Sequence, residues 1–153
     1  MSAFSPLQYL LDQARKARDH AGQSLAADRR AEAQTASQLD VLLQYRAEYS
    51  ARLQDALNRG TDTLALDNYR RFIQSLDTAI TQARQALASQ QGRVSASQQQ
   101  WHAQQRTLSS YDALISRRAS QAQRQAERQA HRQDDELSAG LLARRRHDNA
   151  TTD

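Results

Sequence analysis

The apolar positions of this chain follow a strict seven-residue repeat through its second half. The repeat runs without a break through Leu66, Ile73, Ile80, Leu87, Val94, Trp101, Leu108 and Ile115. A seven-residue period keeps an apolar seam against a partner only if the helices supercoil left-handedly. The pattern therefore predicts a long α-helix that forms part of a coiled coil.

The first half of the chain carries a weaker version of the same repeat. Arg18, Glu32 and Arg46 interrupt it at position a, so the first helix is less strongly specified. Its apolar a positions are Leu11, Leu25, Leu39 and Leu53. Its d positions are Leu7, Ala14, Ala21, Thr35, Leu42, Tyr49 and Ala56, and those of the second helix include Tyr69, Leu76, Ala83 and Tyr111.

Local signals set the ends of the two helices. Ser5-Pro6-Leu7-Gln8 is typical of a helix start, and Asn58-Arg59-Gly60-Thr61-Asp62-Thr63 is the one compact break. Gly60 suits the left-handed position that ends a helix, and Asp62 or Thr63 can cap the next one. We predict helices over 5–58 and 63–136 with a turn at 59–63. The polar tail, 137–153, is predicted to be disordered.

A short turn between two long helices predicts that they lie antiparallel. Pairing a with d about a midpoint in the turn then places small residues opposite large ones, such as Ala21 opposite Trp101 and Thr35 opposite Leu87. The same pairing puts Leu7 opposite Ile115. The predicted fold is a single all-α domain over 1–153, an antiparallel left-handed coiled-coil hairpin with its tip near 58–63.

Composition agrees with an elongated helical fold. The chain has one Pro, four Gly and few large apolar residues, too few for a multilayer core. It has no Cys, which excludes disulfides and thiol ligands. Its net charge is +4, which permits acidic partners. Since the sequence shows neither a signal peptide nor a membrane-spanning run, we expect a soluble cytoplasmic protein.

Candidate catalytic and metal-binding residues are sparse. Of four histidines, only His131 has acidic residues at helical spacing, Asp134 and Asp135, and that pattern is more typical of a solvated helix face. No phosphate-binding loop, G-x-S-x-G or H-E-x-x-H motif occurs. A two-helix coil also offers no cavity that excludes water. The sequence therefore predicts a protein that is not an enzyme and needs no cofactor or metal.

Two stripes beside the seam near the tip are candidates for binding a partner. Tyr45 and Phe72 occupy position g, so the seam itself does not require these rings. An apolar stripe outside the seam suggests a docking face. The alternative is that the rings fold over the seam edges and extend the core.

The end of the second helix is rich in arginine. Glu127 is the one acidic residue among Arg117, Arg118, Arg124, Arg128 and Arg132. A second cluster, residues 144–146, follows the Leu137, Leu141 and Leu142 patch. These groups could meet acidic loops of a partner or phosphates, or could only solubilise the helix. Specific nucleic-acid recognition is less favoured because no binding module is present.

Recognisable segments are spread over the whole chain: the start FSPLQYLLDQARKAR, the tip segments QLDVLLQYRAEYS and NYRRFIQSLDTAI, the single Trp101 and the later RQDDELSA. In these segments the chain resembles the FliJ family of the bacterial flagellar type III export apparatus. The combination of length, mid-chain turn and tip aromatics is more specific than any one of these segments.

The resemblance implies a non-enzymatic stalk that inserts into the hexameric export ATPase ring and links it to the membrane export gate protein FlhA. It implies roles in flagellum biogenesis, protein export, motility and chemotaxis. It also implies binding to the ATPase regulator and to export chaperones, a monomeric free state, and peripheral association with the cytoplasmic face of the inner membrane.

The resemblance also assigns residues to these partners. The gate-binding surface corresponds to Gln38, Leu42, Tyr45, Tyr49, Phe72, Leu76 and Ala79. Ala83 occupies a position where members of the family can have a His, so the contribution of a histidine side chain is absent here. Ring binding is expected at the paired ends, through Leu7, Leu11, Arg15, Arg117, Arg118, Arg124 and Arg128.

Three other functions remain compatible with the pattern. The first is the equivalent stalk of a virulence-type secretion system. The second is a basic nucleic-acid-binding coil, and the third is a structural spacer that oligomerises.

Overall fold

The structure, a computed structural model, describes residues 5–152 and contains two α-helices in that range. Helix α1 covers Pro6–Arg59 with 54 residues, and α2 covers Thr63–Ala150 with 88 residues. This range forms two compact units, residues 13–106 and residues 5–12 together with 107–152. The all-α hairpin prediction is confirmed, whereas the single-domain organisation stays a prediction.

Within residues 13–106, α1 and α2 lie antiparallel. Arg46 of α1 forms an ion pair with Asp77 of α2, and Asp28, earlier in α1, accepts a hydrogen bond from Ser97, later in α2. The residue that lies earlier in α1 thus contacts the residue that lies later in α2. This opposite order is the one that the short turn predicts.

The core of this unit is the predicted seam. Its most buried side chains are at a and d positions: Ala14, Ala21, Leu25 and Thr35 on α1, and Leu76 and Ile80 on α2. Burying a leucine or isoleucine side chain contributes roughly 1.5–3 kcal/mol. No large side chain among the described residues is fully buried, because a pair of helices covers only one stripe of each.

The turn has the predicted chemistry. Gly60 adopts a left-handed backbone conformation with φ of 81°, which a residue without a Cβ adopts at little cost. The Asp62 carboxylate accepts a hydrogen bond from the Ala65 backbone N–H at 2.9 Å and so caps α2. α1 therefore ends at Arg59 and α2 begins at Thr63, close to the predicted bounds.

The second unit joins the start of α1 to the later part of α2. The Ser5 hydroxyl accepts a hydrogen bond from the Leu7 N–H at 3.3 Å, and this supports the predicted N-terminal cap. Leu7, Leu11 and Leu108 are buried, as their seam positions predict. From residue 116 to 152 every residue is exposed.

Helix α2 continues beyond its predicted end at 136. It reaches Ala150, so residues 137–150 are helical in the structure. Ala, Leu and Arg dominate this stretch and favour helix, and Gly140 alone lowers that propensity by about 1 kcal/mol relative to Ala. The lack of apolar seam residues had suggested disorder, but it does not by itself end a helix.

Neither helix contains, within residues 5–152, a stretch long and apolar enough to cross a membrane.

Candidate docking surface at the hairpin tip

Three aromatic rings cluster beside the turn. The Tyr49 and Phe72 ring centroids lie 4.3 Å apart with their planes tilted by 48°. Tyr69 lies farther from Tyr49, at 6.5 Å. Since Tyr49 belongs to α1 and the other two to α2, these contacts join the helices next to the turn. Tilted aromatic pairs of this kind add about 0.5–1.5 kcal/mol beyond their buried area.

The rings also form an exposed surface. Tyr45 is 48% exposed and Phe72 is 42% exposed, although Phe72 contacts Tyr49. The Arg52 guanidinium lies over the Tyr49 ring, 4.8 Å from its centroid. Phe72 thus extends the seam and still presents much of its ring to solvent. Phe72 therefore extends the core, its exposed part remains a candidate docking surface, and Tyr45 is mainly a surface ring.

The other residues assigned to gate binding differ in accessibility. Gln38 is exposed, and Leu42, Tyr49 and Ala79 are half-buried. Leu76 is only 7% exposed and lies in the seam. A partner at this surface would reach the exposed and half-buried side chains, while Leu76 supports them from inside.

Exposed aliphatic residues enlarge the tip surface beyond the predicted set. Val41 is exposed and, together with Ser37, Gln38 and Leu42, lines a shallow depression. Leu64, in the first turn of α2, is 71% exposed. Both residues could have been identified from the sequence, because an apolar residue at an outward heptad position has no role in the seam.

An ion pair joins the two helices close to this surface. The Arg46 Nε donates to Asp77 at 2.5 Å, and its second nitrogen lies 3.5 Å from the other carboxylate oxygen. The hydrogen bond and the negative charge of Asp77 raise the pKa of Arg46 above its ordinary value. The heptad register places Arg46 at seam position a, but the sequence does not identify Asp77 as its partner.

Comparison with known proteins now decides the family. A sequence profile described as "Flagellar FliJ protein" matches residues 3–147. The chain belongs to the flagellar FliJ family. Similar curated relatives include the "Flagellar FliJ protein" of Salmonella typhi, 29% identical over 153 residues, which cover all of this chain and 92% of the relative. That of Escherichia coli K12 is 31% identical over 122 residues, covering 80% of this chain and 83% of the relative.

Membership of the FliJ family makes this chain a flagellar export-related protein. The tip residues assigned from the family resemblance all belong to one unit of the structure, residues 13–106. Tyr45, Tyr49 and Phe72 lie on the two sides of the turn, as a docking surface near the tip requires.

The residues assigned to ring binding are not one exposed patch. Leu7 and Leu11 are buried in the seam, with 8% and 4% exposure, and they hold the start of α1 in place. Arg15 belongs to the unit of residues 13–106. The accessible candidates of the second unit are Arg117, Arg118, Arg124 and Arg128.

The histidine cluster offers no metal site. His131, Asp134 and Asp135 are all exposed on α2. Across the part of the chain that the structure describes, no group of three or more His, Asp or Glu side chains is arranged to hold a metal ion.

Proposed function

We propose that this FliJ-family protein is the stalk of the flagellar export ATPase complex and joins the ATPase ring to the export gate protein FlhA. The observation that carries the proposal is the tip surface, where Tyr45 and Phe72 stay nearly half-exposed in a seam-based fold. The similar proteins of Salmonella typhi and Escherichia coli K12 are both flagellar FliJ proteins, which favours flagellar export over virulence-type secretion.

The tip surface has the chemistry of a protein-binding site. Aromatic side chains dominate the energetics of many interfaces, because they bury large apolar areas with few rotatable bonds. The cross-helix contacts of Tyr49 with Phe72 and of Arg46 with Asp77 hold the surrounding backbone in place. The gate would therefore meet a preorganised surface, and less binding energy would be lost to ordering it.

At the ring, the chain would act by unequal binding. It supplies no catalytic group, so it can change ATP turnover only by binding some conformations of the ring subunits more tightly than others. The exposed arginines of α2 can meet acidic loops of the ring. This interaction would promote ring assembly and export.

The remaining partners follow from the family resemblance. We propose that the chain also binds the ATPase regulator and export chaperones. Through these contacts it would lie at the cytoplasmic face of the inner membrane, at the base of the flagellum.

The proposal is tested by titrating the cytosolic domain of FlhA with the full-length protein in a calorimeter. We expect Tyr45→Ala with Phe72→Ala to weaken binding by at least about tenfold, because truncated aromatic hot spots typically cost about 2 kcal/mol or more. Unchanged affinity in this variant would remove the tip from the proposed function.

The matched control truncates exposed residues away from the tip. Tyr9 and Leu114 are 52% and 41% exposed, with one on each helix. Tyr9→Ala with Leu114→Ala should bind the gate domain as the wild type does. Circular dichroism of both double variants should show unchanged helicity.

A further inference from the structure

One flank of the unit formed by residues 13–106 is almost free of charge. Heptad positions c and g lie side by side on each helix, outside the seam. Between residues 13 and 34 of α1 they hold Ala, Gln, Ser and His20, and between 82 and 103 of α2 their one charged residue is Arg93. We call these residues the neutral flank.

The composition of this flank is unusual for a two-stranded coil. Such coils typically place Glu and Lys at e and g, where they pair across the seam and face water. Here all but one of the charged residues of the same segments lie at positions other than c and g, as with Asp19 at b and Arg29 and Arg84 at e. Charged residues are therefore almost absent from one side of the hairpin in this unit.

The structure brings the two halves of the neutral flank together in a shallow groove. Ala17, His20 and Ser24 of α1 line it on one side, together with the seam residue Ala21. Ser97, Gln100 and Gln104 of α2 line the other side. Helix axes pack 8–10 Å apart depending on the size of the side chains between them, so small residues let a third helix approach closely.

The charges bordering the groove are basic. Lys16 and Arg30 lie at position f, along the outer edge of the α1 half of the flank, and Arg93 is the one charged residue within its α2 half. None of the three forms an ion pair within residues 5–152. The nearby acid, Asp28, already accepts a hydrogen bond from Ser97. A partner that complements this border must therefore carry acidic groups.

We propose that the neutral flank binds an amphipathic α-helix of another protein, which adds a third helix to the hairpin. The partner helix carries small and apolar residues along its seam and acidic residues along both borders. Uncharged contacts fill the groove, while the acidic borders meet Lys16, Arg30 and Arg93. The flank continues along position g toward Gln38 and Ala79 of the tip surface but contains neither Tyr45 nor Phe72, and the proposal does not depend on the proposed function.

The first test uses a synthetic helix of about four heptads, with Leu and Ala at its seam positions and Glu at e and g. The control peptide has Lys in place of every Glu. Fluorescence anisotropy of the labelled peptides, titrated with the full-length protein, should show binding of the Glu peptide only. Failure of the Glu peptide to bind, or equal binding of both peptides, would overturn the proposal.

The second test places the same charges on opposite sides of the hairpin. Ala27 and Ala86 belong to the neutral flank, and Ala33 and Ala88 lie at position b on the other side; all four are exposed. Ala27→Glu with Ala86→Glu should weaken the binding of the Glu peptide by about tenfold or more, because like charges repel each other across the interface. Ala33→Glu with Ala88→Glu should leave binding nearly unchanged.

Equal losses in the two double variants would show that only net charge matters and would overturn the proposal. Duplex DNA is the competing ligand, since a basic border can also attract phosphates. The flank would be assigned to nucleic acid instead if DNA displaced the Glu peptide at physiological salt. DNA binding would then also have to be weakened only by Ala27→Glu with Ala86→Glu. None of the four positions belongs to the set assigned to gate binding, so gate binding should be normal in both variants.

Discussion

The indole of Trp101 lies directly against the backbone of Gly22. A Cβ at residue 22 would lie 3.3 Å from the indole Nε1 and 3.4 Å from Cδ1. Gly lowers helix propensity by about 1 kcal/mol relative to Ala, so its position inside α1 is costly unless packing requires it. Here the missing side chain makes room for the single tryptophan of the chain.

This contact predicts opposite effects of leucine at two helical glycines. Gly22→Leu should lower the free energy of unfolding by about 1–3 kcal/mol, because the indole must leave its position. Gly92 has open space around it, so Gly92→Leu should be neutral or stabilise by up to about 1 kcal/mol. Urea unfolding measures both, and a red shift of tryptophan emission in Gly22→Leu alone would report the displaced ring. Equal effects at both glycines would contradict the packing argument.

The ion pair between Arg46 and Asp77 should stabilise the hairpin measurably but modestly. Both side chains are nearly half-exposed, so solvent and salt screen the interaction. We expect Arg46→Ala and Asp77→Ala each to lower the melting temperature slightly, with less than additive effects in the double variant. The coupling should fade near ~1 M salt, where the Debye length is about 3 Å.

The charge-swapped variant Arg46→Asp with Asp77→Arg should recover part of the lost stability. The pair formed by Glu48 and Arg52 is a suitable control, since it lies within one helix and does not join the two. Additive effects of the Arg46 and Asp77 substitutions at low salt would show that the pair is not coupled.

The C-terminal part of α2 should be helical but only weakly protected. Residues 122–150 are all exposed, and a helix with no packed face is marginally stable in water. Hydrogen exchange followed by mass spectrometry should show faster exchange there than in residues 72–104. Similar protection in the two segments would mean that the end of α2 is covered in solution, for example by self-association.

The same segment should matter for the ATPase. We expect removal of residues 119–153 to abolish most of the stimulation of ATP turnover by this protein, because the exposed residues Arg124 and Arg128 are lost. Neutralising Arg118, Arg124 and Arg128 to Gln should reproduce much of that loss. Substituting Gln for the three arginines at 144–146 is the control, because it removes the same number of positive charges. An undiminished rate with the truncated protein would exclude the tail from the mechanism.

Heptad periodicity was sufficient to predict the seam because burial depends on few variables in a two-helix fold. Leu25, Leu76 and Ile80 are buried where the register places them, and Gly60 has the backbone conformation that its position in the break suggests. Once the turn limits the possible alignments, apolar spacing selects one pairing. The antiparallel hairpin thus follows from the sequence.

The contacts outside the seam were less predictable. Arg46 has a long flexible side chain, so heptad spacing alone does not select Asp77 as its partner. The contact of Trp101 with Gly22 depends on the rotamer of the indole, which a heptad assignment does not specify. At the tip, the sequence identified Tyr45 and Phe72 as rings outside the seam, but the contact of Phe72 with Tyr49 required the packed structure.

The incomplete burial of the seam has a thermodynamic consequence. The heat capacity of unfolding arises mainly from apolar surface that becomes hydrated, and globular proteins gain roughly 12–15 cal/mol/K per residue. With no large side chain fully buried among residues 5–152, this chain should gain less per residue. Its free energy of unfolding should therefore change with temperature along a flatter curve than that of a globular protein of equal length.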